Sequence, residues 1–178
     1  MRRPLKLHRH SVCAAVAGVE VEITRPASGS LVLSYAVTGT IGDLLMPQTA
    51  APTRADELWR HTCFEAFVKD AAGEAYFEFN FAPSTQWAVY RFDQYRSGMR
   101  PAAGIEPPQI VVQSSPDRYT LRATLSLPDL RGGRSLRLGL ASVIEEKNGN
   151  KSLWALAHPP GQPDFHQADG FALELSQS

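Results

Sequence analysis

The chain has 178 residues, and its 18 Lys and Arg residues balance its 18 Asp and Glu residues. A chain of this length can bury roughly two thirds of its unfolded surface, so we expect one domain over residues 1–178. The net charge of zero argues against a nucleic-acid partner, and the absence of ~20 consecutive apolar residues argues against a membrane partner.

The first element in chain order is an apolar run at residues 12–19, which has the length of a secretion-signal core. Polar residues at positions 6, 8, 9 and 10 precede this run, and the run continues into the alternating apolar residues Val19, Val21 and Ile23. A strand is therefore favoured over a signal, and we expect a cytoplasmic protein. His8 and His10 are predicted to lie on a solvated strand face.

Alternation of apolar and polar residues continues along the chain and predicts half-buried strands. Turn residues separate the strands at 26–29, 70–73, 116–117, 132–133 and 148–150. The further apolar positions are Leu31, Leu33, Tyr35 and Val37; Phe77, Phe79 and Phe81; Tyr119, Leu121, Ala123, Leu125 and Leu127; Leu136, Leu138 and Leu140; Leu153 to Ala157; and Phe171, Leu173 and Leu175.

Short strands without a helical period predict an all-β fold, an antiparallel β-sandwich with long loops and few or no helices. Two Pro-containing segments, residues 39–56 and 98–109, lack a strand pattern, and long loops of this kind often border a binding site. Cys13 and Cys63 are the only cysteines, and their spacing matches no zinc or redox pair. We therefore expect two reduced thiols and no metal site built from cysteines.

Three segments resemble known families. ELWRHTCFEAF (57–67) resembles the family-nine carbohydrate-binding modules, in which a Leu-Trp pair leads into a strand that carries a Glu. YFEFNFAPS (76–84) and LWALAHP (153–159) with PDFH (163–166) are similar to the DOMON-like relatives of that family. The resemblance implies an immunoglobulin-like or jelly-roll sandwich whose relatives bind sugars, haem or unknown ligands. It transfers Trp59 and Glu65 as sugar-binding residues, with Asn80 and Trp87 as further candidates.

Strand parity independently places polar side chains together. Glu65 shares a face with Cys63 and Phe67, and Glu78 shares one with Tyr76 and Asn80. A buried carboxylate needs a partner or a solvated cavity, and the arginines nearest in sequence are Arg60, Arg91 and Arg96. Sugar sites combine such polar groups with aromatic rings, here Trp59, Trp87, Tyr90 and Trp154. The alternative is that these aromatics pack in the core and the carboxylates form salt bridges.

The loop of residues 158–166 is rigid, because it contains three prolines. Asp164 and His166 would project on the same side of an extended segment, with His158 across the loop, so an acid–base or metal cluster is one interpretation. The other is that Asp164 closes the loop while the histidines bind backbone carbonyls. The loop lacks the usual zinc signatures.

Four functions follow, in decreasing order of support. The first is a non-catalytic domain that binds a small ligand, a sugar, without cofactor through Trp59, Arg60, Glu65, Glu78, Asn80, Trp87, Tyr90, His158, Asp164 and His166. The second is a haem b or metal site pairing Met46 or Met99 with His158 or His166. The third is a hydrolase using Ser84, His158 and Asp164, or Glu65 and Glu78. The fourth is a protein-interaction module. No catalytic residue is assigned.

Overall fold

The computed structural model describes residues 1–26, 29–127 and 135–175 of the chain. Within these ranges the regular structure consists of twelve strands and three single turns of 3-10 helix, at Ile41–Asp43, Leu58–Arg60 and Ala168–Gly170. The prediction of an all-β fold with few helices is confirmed. The strands are β1 Arg2–Leu7, β2 Val16–Thr24, β3 Ser30–Gly39, β4 Cys63–Asp70, β5 Tyr76–Phe81, β6 Trp87–Phe92, β7 Arg100–Pro101, β8 Gln109–Ser114, β9 Arg118–Ser126, β10 Leu136–Glu145, β11 Lys151–Ala155 and β12 Leu173–Leu175.

All strand pairs are antiparallel, and the strands join in the order β7-β6-β5-β4-β10-β11-β1-β2-β3-β9-β8, with β12 added beside β10. Strand β1 connects the two halves of this curled sheet. Its residues Arg2 to Leu5 pair with β2, whereas Lys6 and Leu7 pair with β11. We call β1, β2, β3, β9 and β8 the first layer, and β7, β6, β5, β4, β10, β11 and β12 the second layer.

The main core lies between the two layers and follows strand parity. In β4 the side chains of Phe64, Ala66 and Val68 are buried in this core, against β2, β3 and β9 of the first layer. The residues between them, such as Glu65 and Phe67, consequently lie on the outer face of the second layer. Packing between the layers is thus what directs the β4 carboxylate outward.

The outer face of the second layer is also covered. A second apolar cluster of Phe67, Tyr76, Tyr90, Phe92 and Phe171 lies on it, with Leu58, Trp59 and Phe165 packed against its edge. The covering segment crosses β10 closely at a glycine. A Cβ at Gly139 would lie 3.3 Å from the carbonyl oxygen of Gly170, so the absence of a side chain there lets the segment lie against the sheet.

Several details differ from the sequence predictions. Strand β11 ends at Ala155 instead of Ala157, and β12 begins at Leu173, so Phe171 belongs to the outer cluster. His8 is buried rather than solvated, at 2% exposure, because its ring packs edge-on against His158. The 148–150 turn between β10 and β11 is confirmed. The predicted turn at 132–133, and residues 27 and 28 of the predicted turn at 26–29, lie outside the described residues.

Cys13 and Cys63 are free thiols, as expected. In the part of the chain that the structure describes, no helix is long and apolar enough to cross a membrane.

Candidate ligand-binding site

A cavity of about 540 Å³ opens on the outer face of the second layer. Sheet residues form its floor, and the walls come from the segments that cover this face and from Lys151 at the start of β11. The floor consists of Glu65, Glu78, Phe92, Val143 and Leu153, and the walls of Trp59, Arg96, Met99, Lys151, Pro163, Asp164, Phe165 and His166.

Two carboxylates lie side by side on this floor. Glu65 of β4 pairs in register with Asn80 of β5, and Glu78 lies two residues along β5, so the carboxylates are diagonal neighbours on one face. The two residues are only 3% and 4% exposed. Burial raises the pKa of Glu65 well above its ordinary value, and the neighbouring Glu78 raises it further. Burial likewise raises the pKa of Glu78, although Asn80 and Arg96 oppose this.

The two carboxylates differ in their hydrogen bonds. Asn80 is fully buried behind the floor, and its Nδ2 donates to Glu78 Oε1 at 2.7 Å. Its Oδ1 accepts a weak bond from Cys63 Sγ at 3.5 Å. The Glu65 carboxylate has no hydrogen-bond partner among residues 1–26, 29–127 and 135–175. Glu78 is therefore held by the protein, whereas Glu65 is left to face the cavity.

His166 connects the wall to the floor. Its Nδ1 lies 2.8 Å from the hydroxyl of Tyr76, which accepts a bond from the backbone N–H of Arg96 at 3.3 Å. We assign the Tyr76 proton to the bond with Nδ1, which places the N–H of the neutral ring on Nε2, 3.7 Å from Glu78 Oε2. Burial and the nearby Arg96 lower the pKa of His166 to about 4, although Asp164 opposes this. The imidazole is thus neutral near pH 7.

Asp164 ties its loop to the turn after β6. Its carboxylate accepts from Arg96 Nη2 at 2.8 Å, from the Tyr95 hydroxyl at 2.5 Å and from the His166 N–H at 3.0 Å. Burial alone would raise the pKa of Asp164, but these bonds lower it to about 2. Arg96 adopts a left-handed backbone conformation, with φ of 50°, which costs of order 1–3 kcal/mol in a non-glycine residue. The contacts of its side chain hold that conformation.

Trp59 is placed by the segment that leads into β4. Glu57 has a left-handed φ of 60° and is followed by the 3-10 turn that presents the Trp59 ring to the cavity. The ring packs edge-on against Tyr90, with centroids 5.7 Å apart. The Tyr90 hydroxyl donates to Asp56 at 2.5 Å, and Arg54 binds the same carboxylate at 2.6 Å. Tyr90 and Asp56 therefore support Trp59 from behind.

The structure brings five of the ten predicted site residues into the cavity: Trp59, Glu65, Glu78, Asp164 and His166. Asn80 and Tyr90 lie behind its lining.

Arg60, Trp87 and His158 lie outside the cavity. Arg60 points to solvent and binds Glu57 at 2.8 Å. Trp87 pairs with Phe81, which is buried between the layers, so it lies on the opposite face of β6 from Tyr90. His158 donates from Nε2 to the Lys6 carbonyl at 2.7 Å and packs on His8. Trp154, another aromatic candidate, is buried in the main core.

Sequence reasoning missed several lining residues. Phe92 continues the alternation of Ala88 and Tyr90 in β6, so strand parity could have placed it on the Trp59 face. Phe165 lies between Asp164 and His166 and had no comparable signal. Val143, Leu153 and Lys151 enter the cavity only because β10 and β11 lie beside β4.

The hydrolase triad does not assemble. Ser84 donates to Gln86 at 3.2 Å, His158 binds the Lys6 carbonyl, and Asp164 is held by Arg96. Among the described residues, no group of three or more His, Cys, Asp or Glu side chains could hold a metal ion.

Haem b would need an axial methionine and an axial histidine. Met99 and His166 both line the cavity, whereas Met46 packs against the main core. Both ring nitrogens of His166 face protein oxygens, those of Tyr76 and Glu78. Iron could approach only Nε2, where the Glu78 carboxylate already faces the ring, so the pair of Met99 and His166 does not fit haem.

No protein-family model matches the sequence, and no curated protein matches it either. Solved structures do match. A proposed carbohydrate-binding protein from Bacteroides uniformis ATCC 8492 has a TM-score of 0.67 and 12% identity, over 95% of this chain and 83% of that chain.

Two structures of family-nine carbohydrate-binding modules (CBM9) from Caldicellulosiruptor kristjanssonii match as well. The complex with cellotriose has a TM-score of 0.54 and 12% identity, over 88% of this chain and 74% of that chain. The complex with glucose has the same score and identity, over 93% and 78%. The relation to DOMON-like domains stays a prediction. These matches establish that the chain has the fold of the CBM9 modules, as the sequence resemblance implied.

Proposed function

We propose that this chain binds a carbohydrate, and that the sugar occupies the outer-face cavity. The observation that carries the proposal is the composition of the cavity wall and floor, in which the ring of Trp59 accompanies the buried carboxyl groups of Glu65 and Glu78. Aromatic rings pack against the C–H groups of a pyranose, and carboxyl groups bind its hydroxyls.

The remaining polar groups fit the same role. The Nε2–H of His166 is a donor at the edge of the floor, and Arg96 and Lys151 bring further donors to the walls. Asn80 and Tyr76 hold Glu78 and His166 in place from behind. A ligand would therefore meet donors and acceptors whose positions are already fixed, which lowers the entropic cost of binding.

The structural neighbours support the class of ligand. Two of them are CBM9 modules in complex with cellotriose and with glucose. An identity of 12% does not transfer individual contacts, so the assignment of residues rests on the cavity itself.

Calorimetry and thermal-shift assays with glucose, galactose, mannose, xylose and cellotriose test the proposal. We expect at least one of these sugars to bind, and Trp59→Ala to weaken that binding by about tenfold or more, equivalent to ~1.4 kcal/mol. Arg60→Ala is the matched control, because Arg60 is adjacent in sequence but lies outside the cavity. Failure of every sugar to bind, or equal losses in both variants, would contradict the proposal.

We propose binding without hydrolysis, although a pair of carboxyl groups in one cavity is also the arrangement that glycosidases use. A screen with nitrophenyl glycosides separates the two functions. We expect no turnover above a buffer blank. Turnover that disappears in Glu65→Gln would contradict binding without hydrolysis and identify the protein as a glycosidase.

A further inference from the structure

The charges that line the cavity are unevenly paired. Arg96 is bound to Asp164, with 2.8 Å between Nη2 and Oδ1. The Lys151 Nζ lies 3.8 Å from a Glu145 oxygen and donates to the carbonyl of Arg60. Both cationic side chains of the cavity therefore already have a carboxylate partner.

Glu65 and Glu78 lack such a partner. Within residues 1–26, 29–127 and 135–175, no Arg or Lys side chain is within salt-bridge distance of either carboxylate. The nearest basic group is the His166 ring, 3.7 Å from Glu78, and it is neutral near pH 7. Glu65 is 3% exposed and lines the cavity, and its carboxylate accepts no hydrogen bond from the described residues.

Two adjacent buried carboxylates are costly unless a positive charge or a proton compensates them. A neutral sugar brings hydroxyl donors but no positive charge. A protonated amine brings both, and an aromatic wall such as Trp59 attracts a cation through the face of its ring. The cavity thus combines the aromatic surface expected of a sugar site with two adjacent buried carboxyl groups that lack an Arg or Lys salt-bridge partner among the described residues, which is the arrangement expected of an ammonium site.

We propose that the ligand is an amino sugar whose ammonium group binds between Glu65 and Glu78. This inference rests on the proposed carbohydrate function and narrows it to a cationic class of sugar. The ring would lie against Trp59, and the ammonium group would supply the charge that Arg96 and Lys151 do not.

Binding of an ammonium group between Glu65 and Glu78 would also depend on pH. In the ligand-free cavity the carboxyl pair reduces its repulsion by retaining a proton, and burial raises the pKa of both groups. An ammonium group would displace that proton, so binding should release protons and tighten as the pH rises toward neutrality. The other titratable or charged groups that face the pair or its cavity are Cys63, Tyr76, Arg96, Lys151, Asp164 and His166, and the Tyr35 hydroxyl reaches the Glu65 backbone from the main core.

The test is calorimetry at about pH 6, below the pKa of roughly 7.7–8 that an α-amino group has. D-glucosamine, D-galactosamine, D-mannosamine and 6-amino-6-deoxy-D-glucose are compared with their parent sugars and their N-acetyl derivatives. We expect at least one amine to bind about tenfold or more tightly than its parent and its N-acetyl derivative. Repeating the titration in buffers of different ionisation enthalpy should reveal proton release for that amine alone.

Glu65→Gln preserves the size of the side chain and removes its charge. We expect this variant to bring the ratio of amine to parent affinity to about one, and Glu22→Gln to leave the ratio unchanged. Glu22 is the control because it lies on β2 of the first layer and binds Arg2 at 3.5 Å.

The outcomes separate the two proposals. Parent sugars that bind at least as tightly as every amine would overturn the ammonium site and leave carbohydrate binding intact. A preference for the amine that persists in Glu65→Gln would overturn the role of this carboxylate. If no amine, parent sugar or cellotriose binds, both proposals fail.

Discussion

Within the described part of the chain, the carboxylate of Glu65 contributes no hydrogen bond to the stability of the fold. The backbone of Glu65 serves the core, since its carbonyl accepts a bond from the Tyr35 hydroxyl at 2.7 Å. Its carboxylate is buried on the opposite side of the strand and accepts no hydrogen bond among the described residues. An unpaired buried polar group of this kind lowers the stability of a protein. Stability lost at a binding site is common where the ligand supplies the missing partner.

The first prediction concerns Glu65→Gln and the stability of the fold. The pKa of Glu65 is raised in the folded state, so the wild-type protein loses stability as the pH rises from about 4.5 through the folded pKa. The variant has no charge to bury and should be more stable at about pH 8, by on the order of 1–3 kcal/mol. Thermal melts across this pH range check it, with Glu22→Gln as control. A variant that is less stable than the wild-type protein at about pH 8 would contradict the prediction.

The second prediction concerns the bond between Tyr76 and His166. Tyr76→Phe removes the hydroxyl that binds His166 Nδ1 and accepts the Arg96 N–H. We expect a loss of about 1–3 kcal/mol in unfolding free energy, because buried polar groups are left without a partner. Denaturant unfolding measures this. Tyr95→Phe, in the adjacent exposed turn, should cost less, and the reverse order would be inconsistent with the network described above.

At the scale of elements, the site depends on how the segment of residues 156–172 lies across the second layer. Gly139 permits the close crossing, and Asp164 anchors the segment to the turn at Arg96. Neither contact involves strand pairing. This part of the wall is therefore held by side-chain contacts and close packing on the sheet rather than by strand pairing.

The third prediction is that Gly139→Val displaces this segment. Its Cβ would lie 3.3 Å from the Gly170 carbonyl oxygen and 3.4 Å from the Phe67 Cβ, and the valine methyl groups would extend further. Overpacking of this kind costs roughly 1–3 kcal/mol. We expect a lower melting temperature and faster proteolysis within the segment. Gly42→Val is the control, because among the described residues no heavy atom beyond its chain neighbours lies within 4 Å of the Cβ position. Equal effects in both variants would argue against a close crossing at Gly139.

The fourth prediction separates the Asp164 anchor from an ordinary surface ion pair. The pKa of Asp164 is lowered to about 2, so its stabilisation is present above the ordinary value of 3.8 and is lost as the pH falls toward 2. Asp164→Asn should lower the melting temperature at neutral pH. The difference in melting temperature between the variant and the wild-type protein should become smaller as the pH falls from 3.8 toward 2. Asp93→Asn breaks a comparable pair with Arg100. Only Asp164→Asn should also weaken sugar binding, and a similar loss in Asp93→Asn would count against the anchor.

At the scale of the whole molecule, the fold could be predicted because strands have a two-residue period that survives in the sequence. The same two-residue period correctly placed Glu65 on one face with Phe67, and Glu78 on one face with Asn80. Applied to β6, it would also have placed Trp87 and Tyr90 on opposite faces, as three residues separate them. The walls could not be predicted in this way, because Phe165 and His166 reach the cavity through contacts between segments distant in sequence.

The most direct test of carbohydrate binding in the outer-face cavity is an NMR titration of the labelled protein with cellotriose and with the tightest-binding monosaccharide. The first layer carries an alternative location for a sugar, a polar groove of about 510 Å³ that is lined by Ser34, Thr120 and Arg122 among others. We expect the perturbed signals to concentrate on the Trp59 indole, on β4 and β5 around Glu65 and Glu78, and on residues 163–166. Perturbations confined to the groove of the first layer, or no perturbation with any sugar, would contradict this expectation.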